Sequence, residues 1–600
     1  MRISCMVIDP NSTSTSLVDP IWVVGACTSS GCPNLRVDNI TFGLNTYWSE
    51  SGNSSNAEAA MLVENAFGVI DHNSIGSAAL PAKNFELFNS QLGAYLGSGS
   101  YGDNSWAQPD SLGGANNLFA ENNVKYDSGY IPMNDSEQDD AFTNRGGARV
   151  VMRYNTLYQG SGNTGGFGIF ANHGTDSGGR ARGAREAEVY NNTIYCQGTT
   201  QNCSGVDGGP RSGTALFWGN VLNASSAGAG AWIGLNLYRN NTSSWNPFSP
   251  NCGGFMPLDI SDGASVSPTY TVTSSSSTTV TVSGTPWTTN QFAPVGKAYF
   301  FWDVTASVNG YTYSAITGNS SNQLTISGKN GTISNGDSFV IVGSTLYYSG
   351  SITSVGSGSG TGVVTMSDTS KSWGTNQLNP TGSPYTVTDI TGAGSGAGAA
   401  WGGEISSNTS NSITLEGYVG YGPYGFATGD SYWVTRSTAC LDQPARGQQI
   451  STILSGDPPS PIGGVIESID PIYQWSDTVA SGSQYGEITS GSNKLIAYRD
   501  FYAQASGAQT SSNLPFSCNG STGGTGWGTL ANRPSSCSGA CSANSLGCGY
   551  WATDANELYV WESGAWTAYY TPYTYPHPLD TSGTAPGTPS SPTNLRATAN

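Results

Sequence analysis

Between residues 67 and 222 one short pattern returns five times: an apolar residue, two variable positions, Asn, one further position and a second apolar residue. The copies are Ile70-Asp-His-Asn73-Ser-Ile75, Phe119-Ala-Glu-Asn122-Asn-Val124, Met152-Arg-Tyr-Asn155-Thr-Leu157, Val189-Tyr-Asn-Asn192-Thr-Ile194 and Phe217-Trp-Gly-Asn220-Val-Leu222. The asparagines are 49, 33, 37 and 28 residues apart, a spacing that suits short strands of successive repeats joined by loops of varying length. An Asn at one fixed place per repeat can stack on its equivalents and hydrogen-bond along the array, so these five are read as structural. The pattern predicts an all-β chain built on stacked rungs, a right-handed parallel β-helix.

From about residue 270 the pattern changes. Tyr270-Thr-Val-Thr and Thr279-Val-Thr-Val alternate with the period of half-buried strands. Trp287-Thr-Thr-Asn290-Gln291 returns as Trp373-Gly-Thr-Asn376-Gln377, Ile316-Thr-Gly-Asn319 as Ile405-Ser-Ser-Asn408, and Gly336-Asp337-Ser338-Phe339 as Gly429-Asp430-Ser431-Tyr432. Offsets of 86, 89 and 93 residues mark a tandem pair of small β modules inserted into the helix. The expected layout is a first part of the β-helix over 1–262, insert copies over 263–350 and 351–437, and a β-helix continuation with a cap over 438–580. Beyond it, 581–600 form a Pro/Ser linker.

Composition agrees with strands and turns. The chain has 81 Gly and only 10% charged residues, and Gly, Ser and Asn punctuate while Thr, Tyr, Val and Trp fit pleated surfaces. A formal charge of −19 argues against nucleic acid or an anionic membrane as partner, since both demand clustered Lys and Arg. No apolar run is long enough to span a bilayer as a helix. The 11 Cys fall partly into close pairs, Cys27 with Cys32 and Cys196 with Cys203, plus a late cluster of Cys518, Cys537, Cys541 and Cys548. With no Cys-x-x-Cys pair near a His, they read as disulfides in an oxidising, extracellular or cell-surface setting. Cys5 is expected to be unpaired, and a Cys252–Cys440 bridge would close the insert at its base. The first ten residues lack the apolar core of a signal peptide, so a truncated start is expected.

Candidate chemistry gathers where positive charge does. Seven of the 21 Lys and Arg lie between Arg145 and Arg211, a local cationic patch in an acidic chain that points to an anionic ligand. Arg145, Arg153 and Arg182 are candidates for binding it, because guanidinium groups grip carboxylates bidentately. An Arg held among other cations can also have its pKa lowered enough to accept a proton. His173 beside Asp176 is a candidate proton-transfer pair. Glu137, Asp139 and Asp140, with Asp135, can hold calcium, a hard ion that prefers clustered carboxylates. The structural alternatives are salt bridges from the arginines to Asp176, Glu186 and Glu188, a solvated acidic loop, and a hydrogen-bonded loop His. Asp71 and His72 are read as a structural pair.

Arg180-Ala-Arg182-Gly-Ala-Arg185 followed by Val189-Tyr-Asn191-Asn192 resembles the pectate lyase pattern Arg-x-Pro-x-x-Arg and Val-x-Asn-Asn, and Val69-Ile70-Asp71-His72 is similar to that superfamily's Trp-Ile-Asp-His segment. The resemblance spans about 150 residues, with Arg182 where the family has Pro and Val69 where it has Trp. It implies a calcium-dependent enzyme cleaving acidic polysaccharide by β-elimination, with Arg180 as base and Arg185 as carboxylate clamp. Asp139-Asp140 and Asn172-His173-Gly174 also resemble elements of polygalacturonases, which would use paired carboxylates for hydrolysis. Pro586–Asn600 resembles a linker entering the first strand of a fibronectin type III domain. The non-catalytic alternative is a cell-surface or adhesive β-helix whose exposed Trp and Tyr bind glycans.

Overall fold

The computed structural model describes residues 1–8, 21–25, 32–42, 61–76, 88–90, 103–127, 142–144, 146–159, 170–172, 183–196, 210–224, 236–237, 258–259, 265–293, 295–303, 305, 313–327, 332–357, 364–378, 385–391, 402–415, 426–436, 442, 444–449, 466–480, 489–490, 495–505 and 516–580. The protein is all-β, with parallel sheets in one part of the chain and antiparallel sheets in another. Among the described residues no helix is long and apolar enough to cross a membrane.

Three sheets are parallel. The first has nine strands in chain order, Arg2–Ser4, Cys32–Asp38, Ala66–Asp71, Leu118–Glu121, Arg149–Arg153, Glu186–Tyr190, Thr214–Trp218, Ile472–Trp475 and Phe501–Tyr502. The second has eight, from Val7–Ile8 through Val124–Asp127, Thr156–Gln159 and Thr193–Cys196 to Thr478–Ala480. The third has five, from Ile21–Val24 to Phe170–Asn172. Until Asn172 the chain visits the three in rotation, each circuit adding one strand to each sheet. A circuit of this kind is called a tier below.

The bend between first and second sheets repeats in atomic detail. Each tier places one residue in the left-handed region: Cys5, Asn39, His72, Asn122, Tyr154, Asn191, Gly219 and Ser476, with φ between 53° and 66°. Asn and Gly suit this conformation best. From Ile40 onward the next residue turns its side chain inward, and from Asn73 the asparagines there form a ladder. Asn73 Nδ2 donates to Asn123 Oδ1 at 3.0 Å, Asn123 to Asn155 at 3.0 Å, Asn155 to Asn192 at 3.0 Å and Asn192 to Asn220 at 3.0 Å. Each Nδ2 also donates to a main-chain carbonyl one tier back, as Asn155 does to Ala120 at 2.9 Å. Each Oδ1 further accepts a main-chain N–H, as from Asn123 to Asn155 at 3.1 Å. The expected structural role holds for four of the five asparagines. The fifth is Asn123, not Asn122: the strand register pairs Ala120, not Phe119, with Ile70, so Asn122 is the left-handed residue and Phe119 faces outward. The ladder ends on Asp477, whose Oδ1 accepts from Asn220 N at 2.8 Å and Nδ2 at 3.0 Å.

Both faces of the first sheet are buried, so its strands do not alternate apolar with exposed polar residues, and the charged side chains they carry from Arg36 on are themselves buried. Inside lie Val37, Ile70, Ala120, Met152, Val189 and Phe217. Outside, Val69, Phe119, Val151, Leu216, Trp218, Tyr473, Trp475 and Tyr502 share a second core with the C-terminal four-stranded sheet of Thr525–Gly528, Leu546–Ala552, Glu557–Glu562 and Ala565–Tyr570. Cys518–Cys537 and Cys541–Cys548 are disulfides in this cover. Cys32 is also disulfide-bonded and Cys5 is free and exposed. Cys27, Cys203, Cys252 and Cys440 lie outside the described residues.

The insert begins and ends between neighbouring tiers, because Thr214–Trp218 pairs directly with Ile472–Trp475. Its two copies form one 13-stranded sheet, antiparallel throughout, in which the long strand Ser338–Ser351 pairs with Lys297–Asp303 of the first copy and Ser431–Arg436 of the second. The repeated residues make the same bonds twice. Asn319 Oδ1 accepts from Phe292 N at 2.8 Å and Asn408 Oδ1 from Leu378 N at 2.7 Å, while Trp287 and Trp373 fill equivalent places in two separate cores.

Truncating Asn155 removes two side-chain donors and strands two buried N–H donors of the tier before it. N155A is therefore expected to destabilise by about 2–4 kcal/mol, read as a lower denaturation midpoint. Burial pushes the Asp477 carboxyl up to about 6, against hydrogen bonds from Gln474 and Asn220. A carboxyl raised in the folded state contributes stability below its ordinary value and loses it as pH rises through about 6. D477N keeps the Oδ1 acceptor, and Gln474 Oε1, buried with no partner, can accept its new amide after a side-chain flip. D477N is expected to melt higher than the parent at pH 8 and to differ little at pH 4.

Candidate functional site

Of the candidate residues, Arg145, His173, Asp176, Arg180, Arg182, Asp135, Glu137, Asp139 and Asp140 lie outside the described residues. Arg153 and Arg185 are described, and both are enclosed. Arg153 stands on the outer face of the first sheet, fully buried. Its Nε donates to Glu121 at 2.7 Å, Nη1 to the Tyr190 hydroxyl at 2.9 Å and the Tyr573 carbonyl at 2.7 Å, and Nη2 to the Thr574 carbonyl at 2.8 Å. The guanidinium also lies 4.8 Å over the Phe119 ring. The ligand-binding place expected for Arg153 is thus taken by this chain's own C-terminal segment.

Arg185, expected to clamp a substrate carboxylate, instead faces Asp470 at 3.4 Å and packs 5.5 Å over Trp106. Trp106 is fixed by the short helix Asp103–Trp106 and by its Nε1 bond to the Gly183 carbonyl at 2.9 Å. Around this pair lies a cluster of acids. Glu186 accepts from Ser111 N at 2.9 Å and faces Arg149 at 3.4 Å. Glu188 accepts from Gly113 N at 2.7 Å and from the Tyr570 hydroxyl. Burial, with Glu186 nearby, pushes Glu188 up to about 7. Asp110 keeps contact with solvent, yet the protein packed around it and the carboxylates of Asp470 and Glu186 push it up to about 7 as well. Burial also raises Asp470, which lies near Asp110 and accepts a hydrogen bond from Tyr569 at 3.0 Å. Of the salt bridges expected as the structural alternative, Arg185 is ion-paired, but to Asp470 rather than to Glu186, Glu188 or Asp176, and Glu186 faces Arg149 instead.

At the other end of the sheet Asp71, His72 and Asp580 bring ligand-type atoms within 4.8 Å of one another. Arg36 already occupies that centre, 2.9 Å from Asp71 and 3.0 Å from Asp580, and a cation there would meet its charge at short range. His72 Nδ1 lies 2.9 Å from Asp71. The pair sits in a hydrogen-bonded structural network.

The face with accessible chemistry is the outer side of the second sheet. Tyr126, Tyr158 and Tyr195 stand in register on three successive tiers. Their rings stack at 4.6 Å and 4.9 Å with planes 3° and 10° apart. Tyr195 is 36% exposed, and the other two are half-buried. Beside them runs a column in register, Thr41, Ser74, Val124, Thr156, Thr193, Val221 and Thr478. Together they make a flat, uncharged row of hydroxyl groups and ring edges repeating with the strand spacing. The sequence carries a signal for it: in three motif copies the ladder Asn is followed at the third position by Tyr, as Asn123–Tyr126, Asn155–Tyr158 and Asn192–Tyr195.

Comparison with protein-family models, curated proteins and solved structures finds no match to this chain. The site therefore stands on its geometry alone.

Arg153 is the residue whose removal tests the enclosed network. R153A leaves Glu121 buried without its charge partner and frees the Tyr573 and Thr574 carbonyls, so a loss of about 3–5 kcal/mol is expected, measured by chemical denaturation at pH 7. R153A matching the parent's midpoint would show that the network adds no stability.

Proposed function

We propose that this chain is an extracellular right-handed parallel β-helix that binds a polysaccharide along the outer face of its second sheet. The rotation of the chain through three parallel sheets supports the helix, and the disulfides suit an oxidising compartment. The observation that carries the binding role is the stacked column Tyr126–Tyr158–Tyr195. Its hydroxyls recur at a spacing close to one sugar residue of an extended chain, and ring edges and threonine hydroxyls provide both apolar contact and hydrogen-bonding groups. The described part of this face has no charged side chain in its two columns, which favours a hydroxyl-rich, neutral glycan over the acidic one suggested by the arginine count. Arg153 and Arg185, the described candidates, are engaged within the protein, while Arg180 and Arg182 lie outside the described residues.

Affinity electrophoresis against a panel of neutral and acidic polysaccharides tests this. The parent is expected to be retarded by at least one neutral polymer, and the double variant Y158A/Y195A to bind about tenfold more weakly, equal to about 1.4 kcal/mol. Equal retardation of both proteins would move the site elsewhere. Release of an unsaturated product from an acidic polymer with calcium, lost in R180A, would replace this reading by lyase activity.

A further inference from the structure

After Tyr570 the chain leaves the C-terminal sheet and runs back across the outer face of the first sheet toward its N-terminal strand, meeting successively earlier tiers. Tyr570 bonds Glu188, the Tyr573 and Thr574 carbonyls accept from Arg153, and Tyr575 stacks 3.7 Å from Tyr154 and bonds Asn122 at 2.7 Å. His577 N donates to Glu121 at 2.8 Å, and the Leu579 carbonyl and Asp580 both meet Arg36. The segment adds no strand to the first sheet and is held by a polar group from each tier. We propose that Tyr569–Asp580 is a strap whose two ends are released at opposite extremes of pH, uncovering different parts of the charged face beneath it.

The near end rests on acids. Glu188 is enclosed by Tyr570, Gly113 N, Glu186, Arg153 and Tyr190, and Asp470 by Tyr569, Arg185, Glu186 and Asp110. Burial raises both carboxyls, Glu188 to about 7. The closed strap therefore favours their protonated forms, an advantage present below the ordinary carboxyl range and lost as pH rises through about 7. The far end rests on His577, which packs 4.8 Å from Phe119 and 5.5 Å from Tyr573 and accepts from Leu579 N at 3.1 Å on Nδ1. Arg153, Arg36, Asp580 and Glu121 are its charged neighbours. Burial and the charge of Arg153 push His577 down to about 4. The closed far end favours neutral imidazole, an advantage complete above the ordinary histidine value and lost as pH falls through about 4. Acid opening uncovers Glu121, Asp71 and Arg36, while alkaline opening uncovers Glu188 and Asp470.

Hydrogen exchange of the full chain at pH 4, 6 and 8, with each rate divided by that of the unstructured peptide, separates the two ends. Protection over 575–580 is expected to fall on the order of 100-fold from pH 6 to 4, and over 569–574 on the order of 100-fold from pH 5 to 8. E188Q should diminish only the alkaline change, Asp470 carrying the remainder, and H577N should abolish only the acid change, with protection of 149–153 unaltered as the check on folding. Y570F, which removes one hydroxyl, should loosen 569–574 at every pH and leave 575–580 as it was. A strap that follows one pH trend along its whole length, or keeps both trends undiminished in E188Q and H577N, would overturn the proposal.

Discussion

At every tier the chain must turn sharply inward of its own surface, and each turn buries main-chain groups that have no strand to pair with. A buried amide left without a partner costs on the order of 1–3 kcal/mol, so an array of such turns is stable only if one device satisfies all of them. The asparagine ladder is that device. From Asn73 to Asn220 one side chain per tier gives two N–H donors, and from Asn123 on each also accepts two, so the bond pattern passes unbroken from Asn73 to Asp477. The left-handed residue before each ladder position sets the angle at which the next strand leaves. The columns of tyrosine and threonine on the outer face of the second sheet keep their register because of it.

The outer face of the first sheet shows the cost of burying a second side. Its C-terminal tiers present aromatic rings, Tyr190 on Trp218 at 4.3 Å and Trp218 near Trp475 at 5.7 Å, and the four-stranded sheet covers them. Its N-terminal tiers present Asp38, Asp71, Glu121 and Arg153 instead. A buried ion is tolerated only with a nearly complete set of partners. Apolar surface could not supply these, and the strap does so with carbonyls, an amide and a carboxylate. The four-stranded cover and the strap thus divide one surface by its chemistry.

Much of this architecture was legible in the sequence, and the limits of legibility have physical causes. The ladder showed because its residue type is dictated by hydrogen-bond capacity and is nearly the same in every tier. It was misread at Asn122 because two asparagines stand side by side there, one suited to the left-handed bend and the other to the interior, and only register distinguishes them. The insert duplication showed because Trp, Asn and Gly each have one conformational or packing job per copy. The fates of Arg153 and Arg185 could not be read, since their partners, Tyr573, Thr574 and Asp470, lie hundreds of residues away. The C-terminal aromatic and proline-rich stretch 569–580 has no period of its own in the sequence, because it takes its spacing from the tiers it crosses. The tyrosine column was written plainly three positions after each of three ladder asparagines, but alternation alone does not tell a stacked, half-open column from a buried one.

Trp218 and Trp475 stack with planes 6° apart although more than 250 residues separate them in the chain. To the first sheet, everything between those two tryptophans is one connection. The entropy of closing a loop grows only with the logarithm of its length, so its size is nearly immaterial to the tiers on either side. That position is accordingly a natural port, where cargo of almost any bulk can be gained, exchanged or discarded without renegotiating the scaffold.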